Sequence, residues 1–124
     1  MSTQTDTTAL FRHAEGGVAF AAGEAVFSQG APGDTMYAVQ DGAIDLIVNG
    51  VTVETVGPGG IFGELALLLG EPRTSGAVAK VDSVVVAVDQ TRFMLMVRQT
   101  PFFALDVMRL LARRLRETNR RIGA

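Results

Sequence analysis

The sequence predicts an α+β domain: an antiparallel β-roll of jelly-roll type, a short helix set within it, and helices at the C-terminal end. Three observations lead there. Thirteen of the 14 glycines fall between residues 16 and 76 and punctuate short β-rich runs. Asp41-Gly42 and Asn49-Gly50 are dipeptides that accept positive φ in tight hairpins. From Asp89 onward the apolar period changes from strand to helix.

Taken in order, the runs 18–21, 25–28, 35–39, 43–48 and 51–56 read as strands. Between the second and third, Gln29-Gly30-Ala31-Pro32-Gly33-Asp34 forms a loop with two flexible hinges around a rigid one. Residues 57–75 break the pattern with a glycine-rich entry, one short apolar helical turn, and a second turn at Gly70 to Pro72. Strands resume over 75–81 and 84–88. Asp89 is a helix N-cap for a segment through Arg98, and Thr100-Pro101 places proline at the first position of a helix running to about Arg121. The division is a lead-in over 1–19 and one domain over 20–122, with the roll at about 20–89 and the helices at about 90–121.

Composition excludes several function classes. The 124 residues contain no cysteine, no tryptophan and a single histidine, His13. Disulfides, thiolate metal sites and multi-histidine metal centres are therefore excluded, and no resident cofactor or metal is expected. His13 reads as an exposed residue of a frayed N-terminal turn rather than a catalyst. No apolar run approaches the 18 or more residues of a membrane span, and the N-terminus lacks signal-peptide regions, so a cytoplasmic protein is expected. The net charge of -2 conceals an asymmetry: residues 1–91 carry three basic and eleven acidic side chains, whereas 92–124 carry eight arginines against Asp106 and Glu117. A charged, solvated helix accounts for this tail, and specific nucleic-acid binding by this chain alone is not expected.

The segment with chemistry is Phe62-Gly63-Glu64-Leu65-Ala66-Leu67, followed by Pro72-Arg73-Thr74. Backbone amides exposed after glycine at a helix start suit an anion. Arg73 can return across the turn and fork onto that anion. Glu64 cannot bind phosphate, but its carboxylate accepts from hydroxyls such as those of a ribose. Together they describe a cradle for a sugar phosphate. Gly57-Pro58-Gly59-Gly60 fits neither the dinucleotide fingerprint nor a P-loop. Leu65, Leu67, Leu68 and Leu69 read as packing that locates the cradle, and Tyr37 reads as core.

These motifs closely resemble the phosphate-binding cassette of the cyclic nucleotide-binding domain family, which includes regulatory subunits of cyclic-AMP-dependent kinase, catabolite-activator transcription factors and cyclic-nucleotide-gated channels. Residues 23–30 and 33–39, with Gly42, resemble that family's opening β-roll, and Leu110 to Asn119 its last helix. The resemblance implies a ligand site at Gly63, Glu64, Leu65, Ala66, Arg73 and Thr74. Gly63 and Ala66 would offer amides to the cyclic phosphate, Arg73 would neutralise it, Glu64 would hold the ribose 2′-hydroxyl, and Thr74 would sit beside phosphate or purine. Similarity to the catabolite-activator class adds Thr118 and Asn119 as residues that meet the base. Ser75-Gly76-Ala77-Val78 departs from the Ala-Thr-Val common in the family after the Arg-Thr pair.

The implied function is a free-standing, non-catalytic sensor module that binds cyclic AMP, with cyclic GMP as the alternative ligand and an effector the sequence does not name. A transcription-factor fragment and an enzyme acting on a sugar phosphate are the other classes weighed; Glu64 has no evident acid or nucleophile partner for the latter. Ala104, Met108, Leu111, Leu115, Thr118 and Ile122 follow the heptad spacing of a seam that pairs helices, and Phe103, Val107 and Leu110 lie on a second face; with one stripe on the roll and the other on a partner, a homodimer is expected.

Overall fold

A computed structural model describes Phe11 and residues 14–121, with the side chain of Arg121 outside the description. Strands are β1 (Gly17–Phe20), β2 (Ala25–Phe27), β3 (Met36–Asp41), β4 (Ile44–Val48), β5 (Val51–Val56), β6 (Ile61–Phe62), β7 (Gly76–Ala79) and β8 (Ser83–Val88). Helices are α1 (Glu64–Leu69), α2 (Gln90–Gln99) and α3 (Pro101–Arg121). The strands form two four-stranded sheets, in the orders β1-β8-β3-β6 and β2-β7-β4-β5. Every pairing is antiparallel. The α+β roll read from the sequence is the observed fold. Strand β6 was not anticipated: Gly59 and Gly60 mask a two-residue strand that pairs with Tyr37 and Ala38. The short apolar turn is a six-residue helix.

Side-chain alternation in β3 and β8 explains how the layers stack. Met36, Ala38, Val86 and Val88 join Phe103 and Val107 in a core beneath the helices. Val39 and Val85 face the other way, into a second core with Ile44, Leu46, Val56 and Phe62 between the sheets. Both strands are buried on both faces, hence the unbroken valine run. The β4–β5 hairpin turns through Asn49 (φ 51°) and Gly50 (φ 82°), both left-handed as a type I′ turn requires.

Asp89 caps α2 as expected, its side chain accepting from Arg92 N at 2.8 Å. Thr100 joins the two long helices: its amide donates to Met96 O (2.8 Å) and its carbonyl accepts from Phe103 N (2.9 Å). Proline therefore opens α3 where its missing N–H costs nothing. Of the two stripes, it is Phe103 and Val107, both buried, and Leu110 that pack on this core. The expected seam needs correction. Leu111 also turns inward onto that core, while Met108 and Leu115 are exposed together with Leu105. The outward apolar line is Leu105, Met108, Ala112 and Leu115, because the helix rotates its wider apolar face onto the roll. His13 and Ile122 lie outside the described residues.

Candidate functional site

Buried Phe62 anchors the end of β6, and Gly63, at φ 77° and ψ 14°, swings the chain from that strand into α1. The left-handed conformation favours glycine, and so does space: a Cβ there would lie 2.8 Å from Arg73 Nη1. In α1, Ala66 and Glu64 are buried, Leu65 is half-buried, and Gly70 (φ 66°) ends the helix with its amide on Ala66 O at 3.0 Å.

Beyond that turn, Arg73 is pinned by its backbone to the 29–34 loop. Its carbonyl accepts from Gly30 N and its amide donates to Ala31 O, both at 2.8 Å. The side chain is 6% exposed. Nη1 donates to Gly63 O at 3.1 Å, and the guanidinium carbon lies 4.1 Å from the centre of the Phe27 ring. Nε is buried with no hydrogen-bond partner, and among the described residues no carboxylate forms an ion pair with Arg73. Burial pushes its pKa below the usual arginine value, with the charges of Tyr37 and Asp34 opposing.

Glu64, 5% exposed, does not pair with Arg73. Its Oε1 lies 2.7 Å from Arg114 Nη1 of α3, an ion contact without hydrogen-bond alignment. Arg114 spends its other edge on β5 and β6. Nε and Nη2 fork onto Glu54 at 3.0 and 3.2 Å, and Nη2 also donates to Ile61 O at 2.9 Å. Burial lowers the Arg114 pKa, but Glu64 and the hydrogen-bonded Glu54 outweigh it, and the value stands above the usual one.

These groups surround one cavity of about 450 Å³, within the range of small-molecule sites. Gly63, Glu64, Leu65, Ala66, Arg73, Thr74 and Thr118 all line it. Asn119, an exposed residue, does not. Thr118 Oγ1 donates to Arg114 O at 3.0 Å, within its own helix. Phe27, Glu54, Arg113 and Arg114 also line the cavity and were not foreseen. Arg113 and Arg114 belong to the charge run that the sequence reads as solvated; both are half-buried, which corrects that reading for these two. Tyr37 packs with Phe27 and Phe62, as a core reading requires. The cavity is thus lined by a cation without a carboxylate partner among the described residues, Arg73, and by two carboxylates that share one arginine. That lining suits a molecule with both an anion and hydroxyl donors.

Comparison with known proteins places the chain. The sequence profile of the cyclic nucleotide-binding domain matches residues 18–100. The cAMP-dependent protein kinase regulatory subunit of Yarrowia lipolytica is 42% identical over 71 residues, 57% of this chain and 19% of that one, so the chain spans about a fifth of its length. The structure of Thermus thermophilus catabolite activator protein superimposes with a TM-score of 0.79 at 32% identity, covering 87% of this chain and 53% of that one. A protein whose structure was solved in work on a cyclic-GMP-dependent pathway regulating bacterial phytopathogenesis aligns with a TM-score of 0.71 at 35% identity, over 81% of this chain and 84% of that one. With the profile spanning most of the roll and its cassette, the chain belongs to the cyclic nucleotide-binding domain family.

Proposed function

We propose that the protein is a sensor module that binds a cyclic nucleoside monophosphate, cyclic AMP in preference to cyclic GMP, and has no catalytic activity of its own. The observation that carries this is Arg73, a buried cation that has no carboxylate partner and an unbonded Nε among the described residues, facing the same cavity as Glu64. A buried charge needs compensation, and a cyclic phosphate supplies it. Gly63 and Ala66 flank the phosphate, Glu64 accepts from the ribose 2′-hydroxyl, Thr74 stands beside phosphate or purine, and Leu65 closes the side. Thr118 meets the base from α3, and Asn119 joins it only through a shift of α3 or from a second copy.

The chain acts as a regulatory unit: ligand contacts on α3 bias its position through their differential affinity for two helix arrangements. The exposed line Leu105, Met108, Ala112 and Leu115 supports homodimerisation through α3. Among the described residues no helix is long and apolar enough to cross a membrane, which accords with the proposed cytoplasmic setting. Likeness to the Thermus activator supports a second setting, as the ligand-binding part of a transcription factor, with the effector unassigned. Likeness to the protein from the cyclic-GMP pathway, with Thr74 in the cavity, supports a cyclic-GMP-selective module as the second ligand reading.

Calorimetry against cyclic AMP, cyclic GMP and cyclic di-GMP tests the assignment. Saturable binding of cyclic AMP, tightest of the three and lost in Arg73→Ala, is expected. If Arg73→Ala binds cyclic AMP within about threefold of the unaltered protein, the cradle is assigned to the wrong residues.

A further inference from the structure

We propose that Phe27 is a positioning residue of the ligand site, its ring face holding the Arg73 guanidinium in the pose that receives the phosphate; this rests on the reading of the cavity as a cyclic-nucleotide site. Arg73 has a long, flexible side chain and no carboxylate partner to orient it among the described residues. Two contacts do that work. Gly63 O takes Nη1 at 3.1 Å, and the Phe27 ring lies 4.1 Å below the guanidinium carbon. Tyr37 is farther, at 5.7 Å.

Phe27 is itself held. Its centroid lies 5.9 Å from both Tyr37 and Phe62, and those two rings stack at 5.4 Å. Strand β2 fixes its backbone, with Phe27 in register with Ala77 of β7, four residues beyond Arg73. The aromatic cluster thus ties the arginine to the inter-sheet core. A ring face attracts a guanidinium through its quadrupole, most strongly where water is excluded, as around a side chain 6% exposed. It leaves the guanidinium's donors free, which a carboxylate in the same place would not. Fixing the arginine beforehand removes the ordering cost of ligand capture. Leucine at this position would fill much of the volume but provide no ring face.

The test measures cyclic AMP affinity for the unaltered protein, Phe27→Leu and Phe27→Tyr, and repeats the series in an Arg73→Gln background by NMR titration into the millimolar range. Phe27→Leu is expected to weaken binding about tenfold, Phe27→Tyr to recover most of that loss, and the leucine effect to fall below about twofold once Arg73 is glutamine. An equal leucine effect in both backgrounds, or none in the first, overturns the proposal. The Arg73 Nε–Hε NMR signal in ligand-free protein provides a readout independent of the ligand. It is expected to be shifted upfield by the ring in the unaltered protein and in Phe27→Tyr, and to return toward its ordinary position in Phe27→Leu. A signal at the ordinary position in the unaltered protein overturns the proposal. If no cyclic nucleotide binds, the functional reading fails while this signal still decides the role of Phe27.

Discussion

Arg114 Nη1 of α3 stands 2.7 Å from Glu64 Oε1 of α1, so the carboxylate that faces the ligand cavity is neutralised by the C-terminal helix and not by the arginine of its own cassette. Glu54 takes the remaining edge of the same guanidinium in a two-bond fork. One arginine thereby ties α3 to β5, to β6 and to the residue proposed to read the ribose. The ligand contact proposed at Glu64 and the seating of α3 share an atom group, which would give the helix a direct physical route to sense occupancy.

Arg114→Ala is expected to lower stability by about 2 to 3 kcal/mol, less than a fully buried pair would lose because the side chain is 22% exposed. At this chain length that is a fall in Tm of about 10 °C. The sign with pH follows from the raised pKa. A base that holds its proton more tightly when folded contributes its stability in full at every pH below its ordinary value and loses it as pH rises from there through its folded value. The Tm difference between variant and unaltered protein should therefore be flat between about pH 6 and 9. Melts that show a difference under about 2 °C, or one that vanishes within that window, would exclude the tie.

Arg73 carries the opposite sign. Its lowered pKa means that the folded state holds this proton less tightly than the unfolded chain, so the charge opposes folding throughout the neutral range. Arg73→Met should raise the ligand-free stability by about 1 kcal/mol, as apolar replacement of a poorly compensated buried charge often does. It should also cost about 2 to 5 kcal/mol of cyclic-AMP affinity. Thermal melts and calorimetry on one preparation check both; a lower ligand-free Tm would show that Arg73 is already compensated by the protein.

Gly33 lies beside the same guanidinium, and a Cβ built there collides with Nε and Cζ and comes within 2.7 Å of Nη2. The colliding atoms are the far end of a flexible side chain, so Gly33→Ala should displace Arg73 and leave the backbone intact. We expect a Tm within about 3 °C of the unaltered protein and cyclic-AMP affinity reduced about tenfold, an effect of about 1.4 kcal/mol. Unchanged affinity would mean that the arginine reaches the ligand from another rotamer.

Much of this architecture was legible in the chain because it depends on local signals. Asn49-Gly50 marks its hairpin by left-handed φ, and Asp89 caps its helix within three residues. Gly63, Glu64 and Arg73 lie in one short stretch whose residue types already describe a sugar-phosphate cradle. What was not legible depends on distance along the chain. Phe27 meets Arg73 only because β2 pairs with β7. Arg114 meets Glu64 and Glu54 across 50 and 60 positions, and in sequence it is one of the eight arginines that follow residue 91. The seam on α3 shifted because heptad spacing assigns residues to a face but not the face to a neighbour: Leu111 fits the expected line and still packs inward.

Glu64→Gln keeps an oxygen acceptor but loses the charge that Arg114 holds and that a ribose hydroxyl is proposed to share. Binding of cyclic AMP should weaken less than in the Arg73 variants, and the preference for cyclic AMP over its 2′-deoxy analogue should erode. An unchanged ratio between those two ligands in calorimetry would remove Glu64 from the ribose contact.

Base choice is proposed to rest on α3. Thr118 lines the cavity, and its hydroxyl, which donates to Arg114 O at 3.0 Å, can also accept from a purine amino group without giving up that bond. The added bond is worth about one neutral hydrogen bond, about 1 kcal/mol. Cyclic AMP should bind more tightly than cyclic GMP, and Thr118→Ala should narrow the gap by about fivefold. Asn119 stands outside the cavity, so Asn119→Ala should alter the gap only where α3 shifts on binding or a second copy brings that residue across, and should otherwise leave it unchanged. A titration in which cyclic GMP wins, with Thr118→Ala unchanged and Thr74→Ala weakened for cyclic GMP alone, would move base recognition from the helix to the cassette.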